Sequence, residues 1–475
     1  MKTRRVAVIG GGISGLTLAY ELNKLKKSAN PELDITVFEQ GNSPGGTVET
    51  ERRDGFILEK GPDSFITDKP YALELSRELG LENELLGTNA GNRRSFILRG
   101  TKLIPVPEGF YLITPTKLMP FALSGLFSPL GKLRMACEPF VPRRTETSDE
   151  SIGSFIRRRF GREALERVGQ PMLAGIYTGD PDILSLAATM PRFRDLEARY
   201  GSVLVGSMRA SRARSAEAAS GPRYSLFMSY RNGMQTLTDR LAASLGGAAL
   251  RTGVGVVRVA RELVEGGWSV RLSDGSSERF DALCLALPAW ASAELMRETA
   301  PRLADSLGLI GYESVFTANF GFERAQISHP LDGFGFVVPR TEGRALIACT
   351  FADRKFSGRA PEGRVLLRAF AGGAFGREYL KLDDRALEQR LLADLREVLG
   401  ISGEPLVTLG RRYTRAMVQY SVGHLETVAA IEAEAAKLEG LTLAGSAYRG
   451  VGIPDCIRDA REKAALIANP LRKDL

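Results

Sequence analysis

The stretch that decides the fold lies near the start of the chain, where residues 6–16 read VAVIGGGISGL. The apolar run Val6–Gly10 enters a glycine-rich turn and predicts a buried strand, and the apolar spacing from Ile13 to about Lys26 predicts an amphipathic helix. Residues Ile35–Glu39, ITVFE, predict the next strand. A strand, a glycine turn, a helix and a second strand form a βαβ unit. We therefore expect the fold to open with a parallel sheet.

The glycine turn has the spacing G-x-G-x-x-G, which binds the pyrophosphate of a dinucleotide when it follows a strand and precedes a helix. Gly10 permits the tight turn, Gly12 lets backbone N–H groups approach the phosphates, and Gly15 allows the helix to pack closely on the strand. Glu39 ends the second predicted strand, where a carboxylate binds ribose hydroxyls. The alternative interpretation of Glu39 is a surface charge at a strand end.

Two further glycine sites favour FAD over NAD as the bound dinucleotide. Gly45 and Gly46, in GNSPGGTVET, follow shortly after the carboxylate, where the larger FAD often needs a loop beside its pyrophosphate. Gly445, in LAGSAYRGVGIPDCI, lies between a predicted strand and a predicted helix whose N–H groups can reach the flavin. We therefore expect segments near both ends of the chain to form one domain, with the residues between them inserted.

Composition excludes several classes of protein. The chain has 475 residues, of which 44% are hydrophobic and 25% charged, as in an ordinary globular protein. The net charge of +8 favours anionic partners, but no nucleic-acid-binding motif accompanies it, so we expect no nucleic acid. Two distant histidines argue against a metal centre, and four separated cysteines predict reduced thiols in the cytoplasm. The N-terminus lacks the apolar core of a signal peptide, and no apolar run is long enough for a simple membrane-spanning helix.

Six longer stretches resemble the FAD-dependent, oxygen-using porphyrinogen oxidases of haem biosynthesis. This family belongs to the flavoproteins with two dinucleotide-binding domains, which also contain the amine oxidases. The stretches are GPDSF from Gly61, LAGIYTGDPDILSLAATMPRF from Leu173, SYRNGMQTL from Ser229, GFGFVVP from Gly333, QYSVGHLE from Gln419 and GVGIPDCI from Gly450. The resemblance covers essentially the whole chain. It implies oxidation of coproporphyrinogen III to coproporphyrin III, with protoporphyrinogen IX to protoporphyrin IX as a close second.

The resemblance also implies a set of site residues. The family's FAD contacts fall on Gly10, Gly12, Ser14, Gly15, Glu39, Gly45, Gly46, Thr47, Gly61, Ser64, Val256, Gly445, Val451 and Ile453. Thr47 departs from the Arg or Lys that often follows the double glycine, so charge pairing with the pyrophosphate is in question there. The implied porphyrinogen pocket contains Arg94, Gly175, Phe334, Val337 and Phe370. Arg94 would pair with a propionate, Phe334 would stack on a pyrrole, and Val337 and Phe370 would form an apolar wall.

The expected fold class is α/β with α+β insertions, namely a dinucleotide-binding domain of the amine-oxidase-like flavoproteins, a mixed-sheet substrate domain and a helical subdomain. The expected FAD-binding domain comprises residues 1–92, 225–288 and 424–475. The expected substrate-binding domain comprises 93–108 and 289–423, and the helical subdomain comprises 109–224. Within the last of these, the low-complexity patch Ala210–Gly221 predicts a flexible loop.

The apolar stretch Gly109–Gly131 has two interpretations. Its Phe110, Leu112, Leu118, Phe121, Leu126 and Phe127 could dip into a membrane interface, with Lys117, Lys132 and Arg134 near lipid phosphates. Peripheral attachment at the inner face of the cell membrane would follow. The alternative is an ordinary helical subdomain that covers the pocket.

The implied chemistry removes six electrons from each porphyrinogen, with three O2 reduced to three H2O2. Because the pyrrole protons can leave to solvent, no strong general base is required, and we assign no acid–base catalyst. Competing interpretations are another flavin-dependent oxidase such as an amine oxidase, an FAD-bearing binding protein without activity, and an NAD dehydrogenase. A homodimer is compatible with the sequence.

Overall fold

The computed structural model describes residues 3–28, 32–111, 113–217, 225–246, 249–262, 264 and 266–468. The predicted opening βαβ unit is present, with strands at Arg4–Ile9 and Leu33–Glu39 on either side of a helix at Ile13–Ser28. The strands, in chain order, are β1 (Arg4–Ile9), β2 (Leu33–Glu39), β3 (Thr50–Arg53), β4 (Phe56–Glu59), β5 (Phe65–Ile66), β6 (Leu85–Gly87), β7 (Ser95–Arg99), β8 (Lys102–Pro105), β9 (Phe110–Tyr111), β10 (Thr114–Pro115), β11 (Phe227–Tyr230), β12 (Leu250–Thr252), β13 (Val256–Arg261), β14 (Trp268–Leu272), β15 (Ser277–Phe280), β16 (Ala282–Leu285), β17 (Gly311–Glu323), β18 (Gly335–Val337), β19 (Leu346–Phe351), β20 (Arg364–Gly372), β21 (Val407–Gln419) and β22 (Leu441–Leu443).

The helices cluster in the middle of the chain and around the first sheet. In chain order they are α1 (Ile13–Ser28), α2 (Tyr71–Glu78), α3 (Leu118–Leu123), α4 (Pro129–Ala136), α5 (Ile152–Phe160), α6 (Arg162–Ala164), α7 (Gln170–Tyr177), α8 (Leu186–Thr189), α9 (Pro191–Tyr200), α10 (Val203–Glu217), α11 (Gln235–Leu245), α12 (Ala289–Met296), α13 (Pro301–Gly308), α14 (Ala352–Lys355), α15 (Asp384–Leu399), α16 (His424–Ala436) and α17 (Ile453–Ala468).

A five-stranded parallel sheet with strand order β12-β2-β1-β16-β22 collects three distant parts of the chain. The register places Val6 beside Ile35 on one side and beside Ala282 on the other. Side chains from β1, α1 and α17 share one buried core, because the apolar faces of the first and last helices pack on the same side of this sheet. The sheet therefore joins the two ends of the chain, as the sequence predicts.

The second large sheet is mixed and has seven strands, in the order β21-β17-β20-β19-β18-β7-β8. One of its faces carries apolar side chains such as Phe316, Phe351 and Leu367, which are buried against α15. Successive side chains of each strand point to opposite faces of the sheet, so the other face is left to contact other parts of the chain. That second face is the one that meets the residues around Gly61.

The helical region from α3 to α10 has its own core, and it corrects two predictions. Helix α10 continues to Glu217, so the expected flexible loop at Ala210–Gly221 is wrong up to that residue, and 218–221 lie outside the described residues. Alanine is the strongest helix former, which explains why the alanine-rich patch extends a helix.

The second correction concerns the apolar stretch Gly109–Gly131. Phe121, Leu126 and Phe127 are buried, and the rings of Phe110, Phe121 and Phe127 pack together in the helical core. They are therefore unable to dip into lipid, whereas Leu118 is exposed and Leu112 lies outside the described residues. Among the described residues, no helix has both the length and the apolar character needed to cross a bilayer.

Candidate functional site

The first glycine loop is held in one conformation by its own close contacts. Gly10 has φ +106°, a value that favours glycine, and a Cβ there would lie 2.5 Å from the Ala286 carbonyl oxygen. A Cβ at Gly15 would lie 1.9 Å from the carbonyl oxygen of Gly10. Any larger residue at Gly15 would push the start of α1 away from β1. The loop therefore delivers the N-terminus of α1 to the carboxyl end of β1, the central strand of the parallel sheet.

The second glycine loop docks directly on the first. The Gly45 N–H donates to the carbonyl oxygen of Gly11 at 2.8 Å. A Cβ at Gly12 would meet only the Cα of Gly46, at 4.0 Å, and a Cβ at Gly46 would lie 3.2 Å from the Cα of Gly12, so the two loops pack backbone against backbone beside the start of α1. The backbone groove along this junction, at the helix N-terminus, suits a pyrophosphate, because glycines leave the backbone N–H groups accessible. The residues present therefore fit the phosphates of a dinucleotide.

Glu39 is fixed beside this groove. One of its carboxylate oxygens accepts the Gly11 N–H at 2.7 Å, and the other accepts the Gly41 N–H at 2.7 Å. Each oxygen keeps a lone pair, so the carboxylate can still accept a hydroxyl proton. The carbonyl oxygen of Glu39 accepts the Val254 N–H at 3.0 Å, which brings the start of β13 and Val256 to the same end of the sheet.

The C-terminal glycine turn reaches the first loop. A Cβ at Gly445 would lie 3.8 Å from Ser14 Oγ. The Gly445 N–H donates to Asp459 Oδ2 at 2.9 Å, which fixes the turn to α17. Ile453 begins α17 and is buried in the same core as β1, and Val451 lies in the turn before it. The structure thus brings Gly445 and the predicted residues of α17 to the first glycine loop, and the two ends of the chain share one groove.

The Gly61 segment connects this groove to the seven-stranded sheet. A Cβ at Gly61 would lie 1.6 Å from the carbonyl oxygen of Thr47, so the segment packs directly on the second glycine loop. From the sheet, Thr317 Oγ1 donates to the Lys60 carbonyl oxygen at 3.0 Å. Arg368 donates from Nη2 to the carbonyl oxygens of Lys60 (3.1 Å) and Gly61. Thr47 therefore contacts the Gly61 segment through its backbone carbonyl oxygen.

A half-buried ion pair sits next to Gly61, with the Lys355 side chain 13% and the Asp63 side chain 20% exposed. Lys355 Nζ donates to both carboxylate oxygens of Asp63, at 3.0 and 2.9 Å, and to Ser64 Oγ at 3.1 Å. Burial alone would raise the pKa of Asp63, but the charges of Lys355 and Arg368 outweigh it and hold that pKa well below its usual range. Burial lowers the pKa of the Arg368 guanidinium, and the carboxylate of Asp63 opposes this. The pair fixes Ser64, a predicted FAD contact, at this junction.

The predicted apolar wall lies on the sheet face that is turned toward Gly61. Directly paired residues form one row across the strands, in the order Ile97, Val337, Ala348, Phe370, Thr317 and Arg411. Val337 and Phe370 therefore share a face, with Ala348 between them. Gly175 on α7 faces the same row, because a Cβ there would lie 3.6 Å from Val337 Cγ1. The structure brings these three predicted pocket residues together.

Arg94 and Phe334 lie together at the beginning of β18. The Phe334 N–H donates to the Arg94 carbonyl oxygen at 2.7 Å, and Phe334 is half-buried. The Arg94 side chain is 69% exposed and pairs with Asp332 at 3.3 Å. The guanidinium is therefore largely in solvent, with part of its charge already balanced.

The sequence analysis missed Arg368 and Lys355, the two cations that join the sheet to the Gly61 segment. Arg368 is only 4% exposed, and its Nε is buried without a partner among the described residues. It interrupts the apolar strand VLLRAF, and a lone arginine in such a run is a signal of a buried polar role. Lys355 ends a short helix and carries no comparable signal.

Comparison with known proteins relates the whole chain to flavoproteins. The family profile described as flavin containing amine oxidoreductase matches residues 13–468. The chain is 34% identical over 455 residues to a coproporphyrinogen III oxidase of Bacillus subtilis, covering 96% of each chain. It is also 34% identical to a coproporphyrinogen III oxidase of Propionibacterium freudenreichii, covering 98% of this chain and 92% of that one. A mitochondrial protoporphyrinogen oxidase of Nicotiana tabacum is 28% identical, covering 98% and 95%.

Solved structures agree with this relationship. A crystal structure assigned as a protoporphyrinogen oxidase from Exiguobacterium sp. 255-15 superposes with a TM-score of 0.87 at 31% identity, covering 99% of this chain and 100% of that one. A putrescine oxidase structure has a TM-score of 0.68 at 17% identity, covering 99% of each chain, and shows the shared fold. The predicted fold class and flavin cofactor are therefore confirmed at the level of the family. The chain belongs to the flavin-containing amine oxidoreductase family, within its porphyrinogen oxidase branch.

Proposed function

We propose that this protein oxidises a porphyrinogen to a porphyrin with FAD and molecular oxygen, and that coproporphyrinogen III is the preferred substrate over protoporphyrinogen IX. The observation that carries the proposal is the placement of Gly61 between two surfaces. On one side lies the groove made by Gly12, Gly46 and Gly445, and on the other lies the sheet row that contains Val337 and Phe370. The names of the relatives supply the substrate class.

The residues that would hold FAD follow from the groove. The N–H groups at the start of α1 and the junction of the two glycine loops suit the pyrophosphate, and Glu39 suits the adenosine ribose. The turn at Gly445 and the start of α17 suit the flavin end. The chemistry that FAD supplies when bound is acceptance of hydride, two electrons at a time.

The substrate side is proposed to act by positioning. Val337 and Phe370, with Gly175 in front of them, would form one wall against the macrocycle, and Arg94 would pair with a propionate. Over the whole reaction one porphyrinogen loses six electrons and six protons, and three O2 become three H2O2. We also propose that residues 1–92, 225–288 and 424–475 form the cofactor domain, and that 93–108 and 289–423 form the substrate domain.

No histidine is assigned to proton transfer, and the two in the chain have structural contacts. His424 is buried, stacks on Tyr420 at 3.9 Å between ring centroids and bonds the Tyr448 carbonyl oxygen through Nε2 at 3.1 Å. His329 Nδ1 accepts the Leu331 N–H at 3.0 Å. Pyrrole protons would therefore leave to solvent, and the protein would contribute orientation and exclusion of water.

The decisive experiment follows the appearance of porphyrin fluorescence when purified, yellow protein is mixed with coproporphyrinogen III or protoporphyrinogen IX in air. We expect porphyrin and H2O2 to form in a ratio of one to three, with a higher kcat/KM for coproporphyrinogen III. In anaerobic samples, oxidation of the porphyrinogen should stop once the bound flavin is reduced. Flavin-containing protein that oxidises neither compound, but bleaches with an amine, would contradict the proposal.

We further propose a cytoplasmic protein that touches a membrane through an exposed apolar patch on the helical region. The lipid patch is defined by Leu118, Met119, Leu123, Leu130, Leu133 and Phe140, all more than half exposed. These residues lie on α3, on α4 and in the turn after it, and their exposed side chains supply apolar area for an interface. Flotation with anionic liposomes tests this contact, and recovery only in the soluble fraction would refute it. The same patch is a candidate surface for a homodimer, which analytical ultracentrifugation without lipid would detect.

A further inference from the structure

A cavity of about 390 Å³ lies beside α7, at the ends of strands β18 and β20. It was not predicted from the sequence. We call it the α7 cavity. It lies between α7, the end of β18 and the residues that follow β20, and its lining includes Gln170, Thr178, Arg340, Phe375 and Glu378. A volume of this size is in the range of small-molecule sites.

The α7 cavity adjoins the proposed porphyrinogen wall through three elements. On α7, Ala174 lines the cavity, and the next residue, Gly175, faces Val337. On β18, Val337 belongs to the wall, and the following Val338 lines the cavity. On β20, Gly372 lines the cavity two residues beyond Phe370, the other wall residue. Because Val338 and Leu346 of the lining belong to the core on the α15 side of the sheet, the cavity begins where the wall ends, at the ends of these strands.

Arg340 is the cation that this cavity offers to a ligand. Its guanidinium lies 4.6 Å from the ring centroid of Phe375, and its backbone N–H donates to Gln170 Oε1 at 2.9 Å, which fixes the segment to α7. In the described part of the chain Arg340 forms no ion pair, and the residue is exposed. Arg344, the other arginine of the lining, is 11% exposed and already pairs with Glu397 at 2.7 Å. Glu378 is the single carboxylate of the lining.

The two arginines lie at opposite ends of β18. Arg94 is bonded to Phe334, just before the strand, and Arg340 follows three residues after its last residue, Val337. A macrocycle lying along the wall would therefore present one edge to each arginine. Coproporphyrinogen III carries a propionate on each of its four pyrroles, so both edges are anionic. Protoporphyrinogen IX carries propionates on two adjacent pyrroles only, so one edge is apolar.

We infer that Arg340 binds a propionate of the substrate in the α7 cavity and makes the site selective for a porphyrinogen with carboxylates at both edges. The inference rests on the proposed function and names a specificity residue for it. A guanidinium held over an aromatic ring, here 4.6 Å from its centroid, is pre-organised for a carboxylate, because less side-chain freedom is lost on binding. Arg344 leaves no comparable charge, since it is 11% exposed and both of its terminal nitrogens bond Glu397. Arg94 differs, because it is 69% exposed and only one of its terminal nitrogens pairs with Asp332.

The test compares Arg340→Ala, Arg340→Lys and wild type with both porphyrinogens. Arg340→Ala should raise KM for coproporphyrinogen III about tenfold, equivalent to about 1.4 kcal/mol, with kcat changed by less than about twofold. KM for protoporphyrinogen IX should change by less than about twofold, and Arg340→Lys should recover part of the loss. Arg385→Ala, which removes an exposed arginine on α15, is the matched control and should leave both KM values unchanged.

Binding of coproporphyrin III, followed by quenching of its fluorescence, provides a second readout that needs no turnover. Arg340→Ala should weaken this binding about tenfold and leave the melting temperature within about 1 °C of wild type. Unchanged coproporphyrin binding and unchanged KM in Arg340→Ala would overturn the inference, as would an equal rise of KM for both substrates. If wild type oxidises neither porphyrinogen, the proposed function fails, and the binding measurement still decides whether Arg340 recognises a tetrapyrrole carboxylate.

Discussion

Two differently constructed regions meet at Gly61. On the nucleotide side the groove is made of backbone, because Gly12 and Gly46 face each other and the N–H of Gly45 docks on Gly11. On the sheet side the surface is made of side chains, which paired strands present in one row. A backbone groove depends on a few neighbouring residues, whereas the row exists only when distant strands pair in register. The difference explains why the cofactor is easier to infer from a sequence than the substrate.

The largest effect is expected where the backbone groove is broken. In Gly15→Val the added carbons would collide with the Gly10 carbonyl oxygen, which a Cβ would approach to 1.9 Å. We expect the free energy of unfolding to fall by about 3 kcal/mol or more and the purified protein to be colourless. The flavin absorbance per mole of protein measures the loss. Gly91→Ala is the control, because a Cβ at Gly91 has open space, and it should retain full flavin content.

The next effect concerns the ion pair at the junction. Lys355→Met leaves the Asp63 carboxylate without its main cation and should lower the free energy of unfolding by about 2–3 kcal/mol at neutral pH, because the pair is partly exposed and Arg368 still acts on the carboxylate. Because the pKa of Asp63 is held below its usual range, the pair stabilises fully above about pH 4 and loses this contribution as the pH falls toward the folded-state pKa.

Urea unfolding at several pH values measures this effect. The difference in unfolding free energy between wild type and Lys355→Met should shrink as the pH falls below about 4, because protonated Asp63 needs no cation. Lys381→Met, which removes an exposed lysine, is the control and should stay within about 0.5 kcal/mol of wild type at every pH. A difference between wild type and Lys355→Met that does not depend on pH would show that Asp63 is not the group concerned.

The smaller effects belong to the sheet side. In Gly175→Val the new side chain would occupy the space in front of Val337, where a Cβ already lies at 3.6 Å. The residue is exposed, so stability and flavin content should stay close to wild type. KM for the porphyrinogen should rise about tenfold, since a pocket discriminates against a misfit of one or two methyl groups by this order. Steady-state porphyrin fluorescence measures the change, and an unaltered KM would place the substrate elsewhere.

The same difference between the nucleotide side and the sheet side separates the features that the sequence predicts from those that it does not. The opening strand, helix and strand around Gly10 and the strand end at Glu39 were predictable, because glycine spacing and apolar runs act locally. The contacts of Arg368 and Lys355 were not, since they depend on the pairing of β17, β19 and β20 across the sheet. Only the family resemblance pointed to Val337 and Phe370, which periodicity alone assigns to an ordinary core.

The helical region shows the limit of reading apolar residues from a sequence. The same stretch holds Phe121, which is 6% exposed, and Leu123, which is 79% exposed, two positions apart. Composition cannot separate them, because a helix turns about 100° per residue and adjacent apolar side chains face different ways. The core side is chosen by the packing of Phe110 and Phe127 around Phe121. The prediction that Phe121 meets lipid failed for this reason.

The smallest effect on stability is therefore expected at Leu123. Leu123→Ser should change the free energy of unfolding by less than about 0.5 kcal/mol, yet lower the fraction that floats with anionic liposomes, because it removes apolar area from the lipid patch. Phe121→Ser should do the opposite and cost about 3–5 kcal/mol of stability, since it empties an aromatic position in the helical core. If Leu123→Ser floats as well as wild type while both variants remain folded, lipid does not contact this face, and α3 then serves only to cover the helical core.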